Sequence, residues 1–404
     1  MTPIGPASHA TASYGFWGGL VVLTLGLALL HPYAFGAAWI VLLLLAVTQA
    51  PRLRSATTMQ ARPQSAVLWL IVFGPLLIAY LVSALVHGLA IGRIEALEPV
   101  LGGAILAAAL QQQQHLRMQW LITGAALGGL AAIGVVAIDM LLLKEPRAGM
   151  QHHPINFGIA CGAALLILIR QFQHARQPIL LGAAACAIGL IASGSRGPIL
   201  ACVLCIMAII VARGFSAWQM PGRRTTWLIV IALLLGAAII VLGQRFMVDA
   251  QLGKTSSISI RWALIWVSLD QIVATPWVGI GADQAGSFFA SLGPPVNSVN
   301  HAHVTMLNLG LELGILGALA WLWAFGGMFY LFWRADKFIP DNPIGATGML
   351  LTAYFFICSM MQDLMSHAFN RRFLSFVLVL LLVLLCQATK AKNQASIWGL
   401  HRVT

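Results

Sequence analysis

Runs of roughly 20 apolar residues, almost free of charge, recur along nearly the whole of this 404-residue chain. A run of that length is what a helix needs to cross the hydrocarbon core of a bilayer. With 60% hydrophobic and 8% charged residues, the chain cannot be a soluble domain. Inside a membrane each backbone polar group must be satisfied within its own segment, so the runs are read as helices. Twelve are expected, at 16–30, 33–49, 66–86, 94–110, 119–143, 155–169, 178–192, 198–212, 226–243, 304–333, 344–362 and 373–387. The fold class is therefore an all-α polytopic membrane protein. Because the first apolar run lacks a basic leader and meets a second almost at once, it is read as an uncleaved span.

An even number of spans puts both termini on one side. Loops on that side, with the tail, hold fourteen of the 23 Lys and Arg, including Arg52, Arg54, Arg117, Arg223 and Arg224. Basic loops mark the cytoplasmic side, so both termini are expected there. The same sidedness explains the net charge of +12 without nucleic acid. All six cysteines lie in apolar runs, and the Cys202/Cys205 pair has no His or Cys nearby, so these thiols read as small hydrophobes. Three regions follow: spans one to nine in 1–243, an extracytoplasmic loop in 244–303, and spans ten to twelve with the tail in 304–404.

The loop is too long to be a mere connection. Ile258, Trp262, Ile265, Leu269 and Ile272 recur at helical spacing, an apolar stripe suited to the membrane surface. Pro276 ends that helix, Gly279-Ile280-Gly281 follows, and the loop closes on Asn300-His301-Ala302-His303. Counting from His303, Leu307 lies four on, Glu312 nine on, Gly314 eleven on and Gly317 fourteen on.

That spacing resembles the core motif of the O-antigen ligase/polymerase family, with Val304 where the family usually has Asn. Ser259-Ile260-Arg261 with the following Pro and Gly-x-Gly resembles a second family signature, and Ser195-Arg196-Gly197 a third. The resemblance implies a GT-C-like enzyme of the bacterial inner membrane whose active site faces the periplasm. Such an enzyme takes a glycan from undecaprenyl diphosphate and joins it to a sugar hydroxyl of lipid A–core oligosaccharide. Two alternatives remain: a polymerase whose acceptor is a second lipid-linked glycan, and a carrier that moves such lipids without chemistry.

The residue chemistry fits a transferase. His303, at the outer end of the tenth expected span, can take a proton from a hydroxyl near neutral pH. Arg261 and Arg196 carry the forked guanidinium that grips phosphate oxygens, and Arg196 also opens a helix after a sharp turn. These three are the expected catalytic residues. His301 is a substrate contact or a plain loop histidine; His153, in His152-His153-Pro154, contacts substrate or caps a helix. Asp363, Arg371 and Arg372 form another outward turn and complete the candidate substrate-binding set. Glu312 is expected to bond across helices, and Asp139 has no evident partner. The outward loops offer no carboxylate cluster for Mg²⁺ or Mn²⁺, so neither metal nor cofactor is expected.

Overall fold

The computed structural model describes residues 7–55, 64–88, 97–113, 116–149, 153–171, 177–213, 257–294, 296–339 and 343–397. Every regular element among them is helical. In chain order these are α1 (Ala7–Leu30), α2 (Pro32–Ser55), α3 (Gln64–His87), α4 (Glu98–Gln111) and α5 (Met118–Val136), which runs on into a π-helical turn over Ala137–Leu142. Next come α6 (Pro154–Ile169), α7 (Gln177–Ala192), α8 (Arg196–Arg213), α9 (Ser257–Ala274) and α10 (Ala285–Ser291). The last are α11 (Thr305–Phe338), α12 (Pro343–Met361) and α13 (Ala368–Ile397).

Five described helices are long and apolar enough to cross a membrane: Gln64–His87, Met118–Leu142, Thr305–Phe338, Pro343–Met361 and Ala368–Lys390. Six more are apolar but shorter. The chain is a multi-pass α-helical membrane protein. Length and composition alone do not establish the expected count of twelve, and the segment 226–243 lies outside the described residues.

Packing follows the distribution of apolar side chains. From Asn156 to Ile169 every residue of α6 is buried, and in α13 so is nearly every residue from Phe373 to Leu385. Helices apolar all round belong at the centre of a bundle. The perimeter helices expose large apolar side chains instead, among them Leu44 and Val47 on α2 and Ile71, Ile78 and Leu85 on α3. On a membrane protein that surface meets lipid. The π-turn at the end of α5 gives buried Asp139 the partner that its sequence hid. Its Oδ2 accepts the Gly149 N–H at 2.6 Å and its carbonyl accepts the Glu145 N–H at 2.8 Å.

Helix α11 departs most from the expected picture. At Gly314 the backbone turns to φ 72° and ψ −169°, a conformation open essentially to glycine alone. The chain then folds back on itself, so that a Cβ added at Gly317 would lie 2.6 Å from the Leu309 carbonyl oxygen. Residues eight apart in a straight helix are separated by about 12 Å. The expected span 304–333 is therefore not one continuous crossing. His303 heads a short arm, 305–313, that ends at the break.

The loop after α9 enters that break and replaces the hydrogen bonds it removes. The Ile315 N–H, which a continuous helix would give to Leu311, goes to the Pro276 carbonyl at 2.7 Å. The Leu311 carbonyl accepts from Ile280 N–H at 2.9 Å, and the Glu312 carbonyl from Gly281 N–H at 3.0 Å. Such close backbone approach requires glycine on both sides. A Cβ at Gly279 would sit 2.5 Å from Glu312 main-chain atoms, and one at Gly314 would sit 2.5 Å from the Pro276 oxygen. The Gly-x-Gly and Glu-x-Gly motifs are two halves of one joint.

Helix α9 also differs in phase from its expected stripe. Its buried side carries Leu264 and Ser268, with Ile260, Val267 and Ile272 packed beside them. Trp262, Trp266, Leu269 and Val273 face outward, as does Trp277 in the turn beyond the helix. Trp262 and Leu269, expected on the stripe with Ile265 and Ile272, thus lie on the opposite, exposed face. Alternation of large apolar residues around the whole helix concealed which face packs inward.

Candidate active site

Arg196 is the first residue of α8, directly after a turn with little freedom. The Ser193 hydroxyl accepts the Ser195 N–H at 3.2 Å and donates to the Leu190 carbonyl at 2.7 Å. Arg147 clamps the same turn, with Nε donating to the Ser193 carbonyl at 2.7 Å and Nη2 to the Ser195 hydroxyl at 2.9 Å. Arg147 is thus a supporting residue that the motif reading missed. In the sequence it stands close to Lys144 and Glu145, and nothing there singled it out. The Arg196 Nε is buried without a hydrogen-bond partner.

Arg261 lies in the first turns of α9, and its Nη1 reaches the Met361 carbonyl at 3.4 Å. Gly197 abuts the same Met361, with a would-be Cβ 3.2 Å from the Met361 Cβ. The two arginines therefore converge on the C-terminal end of α12. Burial, then repulsion from Arg196, lowers the Arg261 guanidinium below its ordinary value. Two cations held close enough to repel form a natural seat for a dianion.

His303 adopts φ 59°, an uncommon conformation for a residue with a side chain. Several bonds enforce it. The His303 N–H donates to His301 Nδ1 at 3.2 Å, and the Ala302 N–H donates to the Asn308 side chain at 3.0 Å. Just beyond, the Thr305 hydroxyl donates to the Gln362 carbonyl at 3.0 Å and accepts from the Leu364 N–H at 2.9 Å. Those bonds tie the histidine loop to the turn between α12 and α13. Val304, where the family usually has Asn, precedes α11 and makes no side-chain cap.

Four histidines gather here. The rings of His301 and His303 lie 4.4 Å apart, His301 and His367 5.9 Å, and His153 and His367 6.0 Å. His367 escaped the sequence reading because it sits alone, outside any motif. Burial lowers the pKa of all four. His303 is pushed down to about 3, chiefly by burial and then by His301, Arg261, His153 and His367. Its ring is neutral at physiological pH. With Nδ1 buried and unpartnered, Nε2 is the nitrogen left to meet a substrate. Among the described residues no group of three His, Cys, Asp or Glu could hold a metal ion.

The remaining expected residues divide. His153 precedes α6 but its side chain does not cap it; it stacks on His367 instead. Arg371 is largely buried, bonds the Met365 carbonyl at 2.5 Å, and lines the cavity beside His303. Asp363 has no exposed surface; its Oδ1 accepts the Met365 N–H at 2.9 Å, which shapes the turn from beneath, and its Oδ2 is buried without a hydrogen-bond partner. Burial raises its carboxyl above the ordinary range. Arg372 points elsewhere, into an ion pair with Glu98 at 2.8 Å that Trp39 also joins. Their side-by-side positions in sequence hid that helical rotation sends Arg371 and Arg372 to different neighbours.

Residues 181–322 match the family model described as O-Antigen ligase. Over that segment the chain is similar to the O-antigen ligase family. The matched segment holds Arg196, Arg261, His303 and both halves of the Gly314 joint, whereas His153, Asp363, His367 and Arg371 lie outside it. No curated protein matches the chain.

Proposed function

We propose that the protein is an O-antigen ligase, a metal-independent, inverting glycosyltransferase of the bacterial inner membrane. Its donor is a glycan on undecaprenyl diphosphate and its acceptor a sugar hydroxyl of lipid A–core oligosaccharide. Twelve crossings, cytoplasmic termini and a periplasm-facing site complete the reading. The observation that carries it is the convergence of Arg196, Arg261 and His303, from three separate elements, beside the end of α12.

Chemistry follows from the roles of those groups. Arg196 and Arg261 hold the diphosphate and stabilise the charge that grows as it departs. The acceptor oxygen attacks the anomeric carbon from the face opposite the diphosphate. Its proton passes to His303 Nε2 while the carbon–oxygen bond to the diphosphate breaks, and the electron pair leaves with the phosphate. A lipid diphosphate is a good leaving group and needs no separate acid. The low proton affinity of the free ring is corrected when the donor binds, because two negative charges nearby favour the imidazolium.

The test is direct. Purified protein is incubated with lipid-linked glycan and either lipid A–core or further lipid-linked glycan, with and without EDTA. Glycan on lipid A–core, undiminished by EDTA, is the expected product. Lengthened lipid-linked glycan would identify a polymerase, and no covalent product would overturn the transferase reading.

A further inference from the structure

Beside His303 lies a cavity of about 490 Å³, within the range of small-molecule sites. Neither Arg196 nor Arg261 lines it. Its wall carries Asp283, Ser298, Asn300, Asn308 and Ser366, groups that bond neutral hydroxyls, together with a single guanidinium, that of Arg371. His303 thus stands between two unlike surroundings, the pair Arg196 and Arg261 on one side and a cavity of mixed, mainly hydroxyl-bonding groups on the other.

Asp283 is held in this wall by its backbone. It holds φ 60° on the loop between the Gly314 joint and α10. The buried Glu312 carboxylate fixes that loop, accepting from the Ala285 N–H at 3.3 Å and from the Asp283 backbone. The motif glutamate therefore spends its oxygens on backbone and presents a second carboxylate, Asp283, to the cavity. A carboxylate offers two acceptor oxygens in one plane, which suits adjacent hydroxyls of a sugar ring. The volume suits the mono- or disaccharide end of a glycan.

Resting on the ligase reading, the geometry points to this cavity as the pocket for the terminal sugar of the acceptor, with Asp283 reading a pair of neighbouring hydroxyls. The arginine side then takes the donor diphosphate, and the two substrates meet at His303.

Asp283→Asn, which tolerates the same backbone conformation, and Ser298→Trp, which fills the cavity from an exposed position, separate the possibilities. Each is assayed with whichever acceptor the wild-type protein uses. Both variants are expected to raise the acceptor KM at least about tenfold and to leave the donor KM within about twofold. Active wild-type protein with unchanged acceptor KM in both variants, or with donor KM raised in place of it, overturns the pocket and leaves the ligase reading intact. Wild-type protein that transfers nothing removes both.

Discussion

The joint at Gly314 and the face formed by Arg196 and His303 both depend on an irregular backbone, yet they treat polar groups in opposite ways. At the joint, the groups released by the broken helix are bonded again by the inserted loop, Ile315 to Pro276 and Leu311 to Ile280. At the face, the Arg196 Nε and the His303 Nδ1 are buried without partners. Leaving a polar group buried and unbonded costs about 1–3 kcal/mol. The contrast teaches how differently the two regions are built: the joint re-bonds the backbone groups that its break releases, whereas the proposed catalytic residues, like several scaffold side chains such as Ser268, Thr347 and Ser375, carry buried polar atoms that stay unbonded.

The contrast breaks most sharply at the histidine. His303→Asn suits the positive φ and removes the imidazole, so transfer is expected to fall about 10²–10⁴-fold while folding and donor binding persist. Near-normal transfer, measured with fluorescent lipid-linked glycan, would reduce His303 to an anchor. Arg196→Ala or Arg261→Ala should each remove roughly 2–4 kcal/mol of transition-state stabilisation, and Lys should restore little because it lacks the fork. Full activity in Arg261→Lys would refute two-pronged diphosphate binding.

Thr305 sharpens the comparison from the scaffold side, since its hydroxyl satisfies two buried backbone groups at once. Thr305→Val keeps the shape and leaves both unbonded, so about 1–3 kcal/mol of stability should be lost. Transfer should drop about tenfold at constant donor KM, a split that thermal melts and kinetics report together. The smallest effect is expected from pH. With its folded pKa held near 3, His303 stays neutral across pH 5–8, so kcat/KM should show no inflection there from this ring. The unfolded chain binds more protons than the folded one between about pH 3 and 6.5. Stability from this site is therefore complete above about 6.5 and declines as pH falls through that window. A kcat/KM inflection near 6.5 that vanished in His303→Asn would contradict the buried, neutral ring.

Helical class was legible in composition, because uninterrupted apolar sequence has nowhere to lie except inside a bundle or against lipid, but which helices take the centre was not. The three proposed catalytic residues were legible through spacing, since each sits in a compact motif. Spacing could not show that Gly279 and Gly314 meet, because the contact joins residues from separate elements. The break in α11 was hidden for a related reason: a glycine within an apolar run reads as a tolerated helix residue until a partner for the freed backbone is seen. Asp363 and Arg372 looked like site residues because charge is rare here. Rarity of charge marks importance, and burial of Asp363 and the Glu98 pairing of Arg372 show that the importance can be structural.

Trp262 and Trp266 on the exposed face of α9, with Trp277 in the turn just beyond it, have one more consequence. Indole rings settle at the boundary between hydrocarbon and water. A helix bearing two of them, with a third at its end, is held at a set depth, and Arg261, adjacent to the first, is carried at that depth with it. Phosphates of a membrane lipid lie in the same thin layer. The tryptophans thus act as a waterline, holding the guanidinium level with the phosphate layer of the membrane.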